Sequence, residues 1–149
     1  MTFKMIKAAH LLCRRFLLLP TIKKSVLIHT LALVLILRSA LALFSLRDIV
    51  QTLQRLSRRK SNRRSFEQED ILYAVAAIGR RLPLATCLVS GLAGQYLLGR
   101  NGYLSTLHIG VKKETDKILM AHAWVTVDQQ VVIGMIDDLH TYTPLPGIG

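Results

Sequence analysis

Residues 83–99, with the sequence Pro-Leu-Ala-Thr-Cys-Leu-Val-Ser-Gly-Leu-Ala-Gly-Gln-Tyr-Leu-Leu-Gly, decide the fold of this chain. Their spacing predicts a helix that begins after an N-cap at Thr86 and ends at Gly99. Cys87 falls in the first turn of this helix, where the positive end of the helix dipole favours a thiolate over a thiol. The stretch therefore places a candidate nucleophile at the start of a central helix.

One face of this helix is nearly bare, so another element can approach it closely. Its members at helical spacing are Cys87, Ser90, Gly91 and Gly94. If Cys87 is a nucleophile, a base must approach it, and the best candidate is His122. His122 lies in residues 119–127, Leu-Met-Ala-His-Ala-Trp-Val-Thr-Val, whose pattern predicts a strand.

Beyond residues 101–102, Asn-Gly, the hydrophobic period changes from helical spacing to alternation. This change predicts three strands, at residues 105–111, 118–127 and 131–137. Helices followed by antiparallel strands define an α+β fold. On the second strand, His122 and Trp124 point to one face, while the small and aliphatic residues between them point to the other.

A carboxylate that orients the imidazole would complete a catalytic site. If residues 128–131 form a four-residue loop, antiparallel pairing places Asp137 opposite His122. A three-residue loop places Ile136 there instead, and a bulge near Gly134 shifts the register again. The candidate acids, in order of preference, are Asp137, Asp138 and Asp128.

Residue types alone also allow a structural interpretation. A lone cysteine in an apolar helix is usually an inert core residue, and a lone histidine on a strand usually has a structural role. His108, on the first predicted strand, is an alternative base. Cys87, His108 and His122 are all metal-binding residue types, but their spacing does not indicate a metal site. We expect no metal and no cofactor.

Basic residues are concentrated in the first part of the 149-residue chain. Residues 1–65 carry 14 Lys or Arg and one acid, a net charge of +13, whereas residues 66–149 have a net charge of −2. Such a segment faces an anionic partner, such as a membrane surface, or forms a solvated helical face. We expect no nucleic acid, because no aromatic residues are interleaved with the basic run at residues 58–64.

The same basic part predicts helices at residues 2–18, 25–46 and 48–56. The second of them holds 13 uncharged residues before Arg38, fewer than the roughly 20 that a membrane-spanning helix needs. We therefore interpret it as a buried or interfacial helix, with peripheral contact to a membrane as the alternative.

The basic run divides the chain into a helical region, residues 1–64, and a core, residues 65–140. The core begins with Ser65-Phe66-Glu67-Gln68, which predicts a capping box at a helix start. Residues 141–149 are rich in Pro and Gly and predict a tail that lies loosely on the surface. The two cysteines, Cys13 and Cys87, lie far apart in sequence and lack metal-type spacing. Unpaired thiols are typical of a reducing compartment, so we expect a cytoplasmic protein.

Four segments carry a resemblance to a known family: Arg80-Arg81-Leu82-Pro83, Ala85-Thr86-Cys87-Leu88-Val89, Ile109-Gly110-Val111 and Ala121-His122-Ala123-Trp124-Val125. With the hairpin that follows them, they resemble the leader peptidase of lasso-peptide biosynthesis. This is a microcin-processing, transglutaminase-like cysteine protease family. The resemblance covers residues 65–138, and the basic helices before them are similar in general character.

This resemblance implies a papain-related fold in which the nucleophile helix packs on a small antiparallel sheet that carries the histidine and the acid. It implies cleavage of the leader from a ribosomally made precursor, before a separate ATP-dependent cyclase closes the macrolactam. In the split form of such systems a winged-helix protein binds the leader, and this chain looks like the separate peptidase. Cys87, His122 and Asp137 would be its catalytic residues, although the acid of the family falls near the position of Gly134.

Three other functions stay open. One is a non-catalytic binding or scaffold subunit, whose basic helices hold a partner or a membrane. Another is a small membrane-surface protein, whose C-terminal half is only structural. The third is acyl transfer to an amine, as in transglutaminases, because the same Cys-His chemistry would serve it.

Overall fold

Four helices come first in the part of the chain that the computed structural model describes, residues 20–58, 65–115 and 118–146. A four-stranded antiparallel sheet follows, with strand order β3-β2-β1-β4. The elements are α1 (Thr21–Leu43), α2 (Leu46–Arg58), α3 (Gln68–Gly79), α4 (Cys87–Arg100), β1 (Ser105–Thr115), β2 (Ile118–Val127), β3 (Gln130–Ile133), a 3-10 helix (Leu139–Thr141) and β4 (Thr143–Pro144). The predicted α+β class is confirmed. The predicted helix at residues 2–18, Cys13 and residues 59–64 of the basic run lie outside the described residues.

The bare face of α4 is where the sheet approaches, as its small residues predict. A Cβ atom at Gly91 would stand 2.8 Å from the side chain of Leu107 on β1 and 3.7 Å from that of Val125 on β2. One turn further along, Gly94 lies against Ile133 of β3. Because these glycines have no side chains, α4 packs directly on three strands and becomes the centre of the core.

Both ends of α4 are capped by side chains. The Thr86 hydroxyl accepts a hydrogen bond from the Val89 amide at 3.4 Å, which confirms the predicted N-cap. At the other end the helix continues one residue past Gly99. Asn101 is the C-cap, and its side chain donates to the Leu97 carbonyl at 2.8 Å. Cys87 is therefore the first helical residue, as the sequence predicts.

The predicted capping box at Ser65 is wrong, because residues distant in sequence satisfy these amides instead. Asn101 Oδ1 accepts hydrogen bonds from the Ser65 and Phe66 amides, both at 2.9 Å. The Tyr103 hydroxyl accepts from the Gln68 amide at 3.1 Å. As a result α3 begins two residues later than a Ser65 cap would allow, with Glu67 as its N-cap and without a side-chain capping bond. This network fixes the start of α3 to the end of α4.

The N-terminal helices share the hydrophobic core of α3, α4 and the sheet. On α1 the buried residues are Val26, Thr30, Val34 and Leu37, and on α2 they are Ile49, Val50 and Leu53. Helix α1 packs on α3 and α4 through its buried residues, and α2 packs on α4. For residues 25–46 the sequence predicts one buried or interfacial helix; the observed helix ends at Leu43, and it has one buried and one exposed side. The domain boundary at residue 64 stays a prediction.

The hairpin between β2 and β3 differs from its predicted register. Strand β2 has its predicted bounds, but Asp128 and Gln129 form a two-residue turn with φ values of 47° and 66°. Turns with two positive φ angles match the twist of the flanking strands, so they join hairpins tightly. Val127 therefore pairs with Gln130, and β3 ends at Ile133 after a register shift. The predicted pairing of His122 with Asp137 is wrong, because the strand does not extend that far.

The segment after β3 returns to the sheet. Residues 143–144 form β4, which pairs with Gly110 and Val111 of β1. The Leu145 amide also donates to the Ile109 carbonyl at 2.8 Å. For its described residues, up to 146, the predicted loose tail is therefore wrong. Strand β1 runs to Thr115, four residues further than predicted.

Candidate active site

Cys87 lines a cavity of about 300 Å³ between α3, α4 and β3. The side chain is half-buried, and the thiol is free. The remaining lining residues are mostly apolar or small: Leu72, Val75, Ala76, Gly79, Arg80, Ala85, Ser90, Val132, Ile133 and Gly134. A small molecule or a peptide side chain in this cavity would lie directly against the thiol.

The start of α4 also supplies hydrogen-bond donors. The Thr86 hydroxyl accepts a hydrogen bond from the Val89 amide, and the Thr86 carbonyl accepts one from the Ser90 amide at 2.9 Å. Among the described residues, the amides of Cys87 and Leu88 have no backbone acceptor. Unpaired amides at a helix N-terminus point outward and stabilise negative charge. An anion that forms next to the thiol would meet them.

His122 is held by a backbone carbonyl rather than by a carboxylate. Its Nε2 atom lies 2.7 Å from the carbonyl oxygen of Gly134. A carbonyl can only accept a hydrogen bond, so Nε2 carries the proton in the neutral ring and Nδ1 keeps its lone pair. The imidazole is therefore oriented, and its tautomer is fixed with Nδ1 as the basic nitrogen. The same carbonyl would stabilise an imidazolium ion.

Gly134 connects the histidine to the cysteine cavity. It follows β3, lines the cavity that contains Cys87, and accepts the hydrogen bond from His122. Its φ of 80° favours glycine, and a Cβ atom here would stand 2.5 Å from the Ala123 carbonyl oxygen. The position thus requires a glycine on two independent grounds. Within the described residues no hydrogen bond joins Cys87 to His122, and His122 is not among the residues that line the cavity, so a rearrangement has to bring the two side chains together.

Replacing Gly134 with Ala is expected to destabilise the fold by about 3 kcal/mol, because the new Cβ meets backbone and the φ is unfavourable. Gly102 is a matched control, since its φ is 84° and no atom lies within 4 Å of its added Cβ. Gly102→Ala should cost only about 1 kcal/mol. Urea unfolding of both variants checks this, and equal losses would contradict the close packing at Gly134.

Aromatic rings surround His122 on the face of β2 that points away from α4. Trp124 stacks on both His122 and His108, with ring centroids 6.4 Å and 5.4 Å apart. Tyr142, just before β4, lies 5.6 Å from His122. Trp124 and Tyr142 are buried, whereas His122 itself is partly exposed. The sequence placed His122 and Trp124 on one face correctly but gave no sign of Tyr142, which arrives through β4.

The alternative base His108 has another partner. Its Nε2 atom lies 2.9 Å from the Thr126 hydroxyl, on the neighbouring strand. It is not among the residues that line the cavity of Cys87. No group of three or more His, Cys, Asp or Glu residues in the described part of the chain could hold a metal ion. Neither histidine lines the cavity, but His122 bonds to Gly134, which does.

The three candidate acids lie in different surroundings, and none bonds to His122. Asp137 is exposed in the segment after β3, and Asp128 is in the hairpin turn. Asp138 forms an ion pair with Lys112 of β1. The hydrogen bond from Lys112 lowers the pKa of Asp138 below 3.8, and the bond to Asp138 raises the pKa of Lys112 above 10.5. This pair holds the segment before β4 rather than the histidine.

The Lys112–Asp138 pair predicts a dependence of stability on pH. Because the pKa of Asp138 is lower in the folded chain, its contribution is present above 3.8 and lost as pH falls through the folded value. Because the pKa of Lys112 is raised in the folded chain, its contribution to stability is lost only as the pH rises above 10.5. Asp138→Asn should therefore flatten the acid side of a thermal-stability profile. Identical profiles for wild type and Asp138→Asn would contradict the pair.

Comparison with known proteins gives one family match. The model described as the transglutaminase-like superfamily matches residues 31–146. The match begins within α1 and includes both Cys87 and His122, as well as the cavity and the sheet. No curated protein and no solved structure gives a match.

Proposed function

Because the chain belongs to the transglutaminase-like superfamily, a group of generally cysteine-protease-like enzymes, we propose that it is a cysteine peptidase. More specifically, we propose that it removes the leader from a lasso-peptide precursor in the cytoplasm. A separate winged-helix protein would deliver the leader, and an ATP-dependent cyclase would use the released core peptide. Support for this narrower role comes from the resemblance of residues 80–89 and 121–125 to that family.

One observation carries the catalytic part of this function. Cys87 at the start of α4 and Gly134 line the same cavity, and Gly134 holds His122 with Nδ1 as the basic nitrogen. A thiol, an oriented base and unpaired helix amides are the three groups that acyl transfer needs. We assign no role to Asp137, because the Gly134 carbonyl occupies the place of an orienting acid.

The chemistry follows from these groups. When substrate binding has brought the two side chains together, Nδ1 of His122 takes the thiol proton of Cys87, and the thiolate attacks the carbonyl carbon of the last leader residue. The oxyanion that forms accepts hydrogen bonds from the amides of Cys87 and Leu88. The imidazolium then protonates the departing amine, which becomes the N-terminus of the core peptide. Water, deprotonated by His122, hydrolyses the thioester and restores both residues.

The test is cleavage of a precursor peptide encoded near this gene, followed by mass spectrometry. The purified chain is assayed alone and with the candidate leader-recognition protein. We expect one cut, at the junction of leader and core, and stronger cleavage when the recognition protein is present. The absence of any cut in both mixtures, together with an unreactive Cys87, would instead favour a non-catalytic binding subunit.

A further inference from the structure

Helix α1 carries an apolar stripe on its exposed side, which we call the α1 stripe. Its residues are Ile28, Leu31, Leu35, Ile36, Leu43 and the adjoining Phe44, and their exposed fractions lie between 40% and 77%. From residue 28 to residue 44 the stripe extends about 24 Å along the helix axis. Apolar surface that is continuous over such a length marks a site of interaction with a protein or a membrane.

The opposite side of α1 is buried, and this limits the orientation in which the helix can bind a membrane or a protein. Of the 18 consecutive residues that are most apolar in α1, 22% are buried in the core. Val26 and Val34 are among the buried residues of the helix and are almost inaccessible to solvent. Of the described helices, α1 alone is long and apolar enough to cross a membrane. To do so it would have to leave the core that it forms with α3 and α4. The geometry therefore favours a helix that lies along a surface.

Basic residues outnumber acidic residues near the α1 stripe. Helix α1 has no acidic residue, and its charged residues are Lys23, Lys24 and Arg38. Arg38 is exposed, and its position three residues after Leu35 places it at the border of the stripe. Arg47 is exposed at the start of α2, where Asp48 accepts a hydrogen bond from Ser45. These residues belong to the segment of net charge +13, which complements an anionic surface.

Two polar side chains beside the α1 stripe already have partners within the helix. The Ser39 hydroxyl donates to the Leu35 carbonyl at 3.0 Å, and His29 Nδ1 lies 2.8 Å from the Ser25 carbonyl oxygen. A protein interface usually contains about ten direct hydrogen bonds, and this surface offers few groups to form them. A lipid bilayer needs none, because acyl chains accept apolar side chains without directional contacts. The stripe therefore fits lipid better than protein.

We propose that the α1 stripe binds the surface of a bilayer that contains anionic lipid. The helix axis lies in the membrane plane, the apolar side chains enter the upper acyl region, and Arg38 and Arg47 contact the headgroups. The cavity of Cys87 lies between other elements, α3, α4 and β3, so it stays accessible to a peptide. This inference does not depend on the proposed peptidase function.

The test is sedimentation of the full chain with vesicles of phosphatidylcholine alone or with added phosphatidylglycerol. The wild-type chain should bind the anionic vesicles more tightly, and high salt should weaken this preference. The double variant Leu35→Glu, Ile36→Glu should lower the partition coefficient about tenfold or more. Both positions are exposed, so the variant should fold normally, which its circular dichroism spectrum and melting curve verify.

The matched control is Leu104→Glu, Leu119→Glu, which adds the same charge at exposed leucines away from α1. Only its added charge should weaken its binding to anionic vesicles, because the α1 stripe is intact. It should therefore bind much more tightly than the α1 variant. Equal binding by the two variants, or no binding by the wild type, would overturn the proposal. So would a wild-type dimer that the α1 variant abolishes, because a second copy would then cover the stripe. Cleavage of a soluble peptide should be the same in all three proteins.

Discussion

Cys87→Ala is expected to abolish leader cleavage, lowering kcat/KM by about 10⁴-fold or more. Without the thiolate no thioester forms, and the remaining helix amides and His122 provide only binding and polarisation of the carbonyl. The change removes a single atom from a half-buried side chain, so the helix and its Thr86 cap should persist. Initial rates of precursor cleavage, followed by mass spectrometry, measure the effect.

The control for this variant is Cys13→Ala, which removes the other thiol of the chain. It should cleave at the wild-type rate. A melting curve of Cys87→Ala separates a chemical defect from unfolding. Substantial cleavage by the folded Cys87→Ala protein would show that another group is the nucleophile.

His122→Ala is expected to lower kcat/KM by about 10³-fold or more, because the same imidazole acts as base towards Cys87 and as acid towards the departing amine. Asp137→Asn should stay within about twofold of wild type, since Gly134 rather than Asp137 accepts the hydrogen bond from the ring. The two variants therefore distinguish a Cys87–His122 pair, in which a backbone carbonyl orients the histidine, from a triad that includes Asp137. The dependence of kcat/KM on pH should be the same for Asp137→Asn and for wild type.

A strong loss in Asp137→Asn, with an altered pH profile, would restore Asp137 as the orienting acid. That outcome would mean that the segment after β3 moves towards the histidine when substrate binds. A strong loss in His108→Ala alone, with full activity in His122→Ala, would assign the base to the other histidine. Its bond to Thr126 makes that result unexpected.

The features that the sequence predicted best are local ones. The first turn of α4 follows from Thr86 and the residues directly after it, because an N-cap involves neighbours in sequence. Strand β2 follows from the alternation around His122 and Trp124, which the buried face of a sheet imposes. The small residues of α4 likewise predicted a close approach that Gly91 confirms.

The features that the sequence did not predict depend on contacts between distant residues. Asn101 and Tyr103 satisfy amides more than 30 positions away, and nothing in residues 65–68 signals this. Two residues with positive φ, neither a glycine, shortened the hairpin and changed the register beyond it. The role of Gly134 could not be predicted either. Every residue has a backbone carbonyl, so the residue type does not show which carbonyl accepts the hydrogen bond from His122.

The most direct test of the Cys87–His122 pair is the alkylation rate of Cys87 near neutral pH, measured by peptide mass spectrometry in wild type and in His122→Ala. Each rate is compared with that of the same thiol in the unfolded chain. In the wild type Cys87 should react much faster when folded than when unfolded, and His122→Ala should remove most of this difference. A folded Cys87 that reacts no faster than the unfolded thiol, or equally fast with and without His122, would contradict the pairing of these two residues.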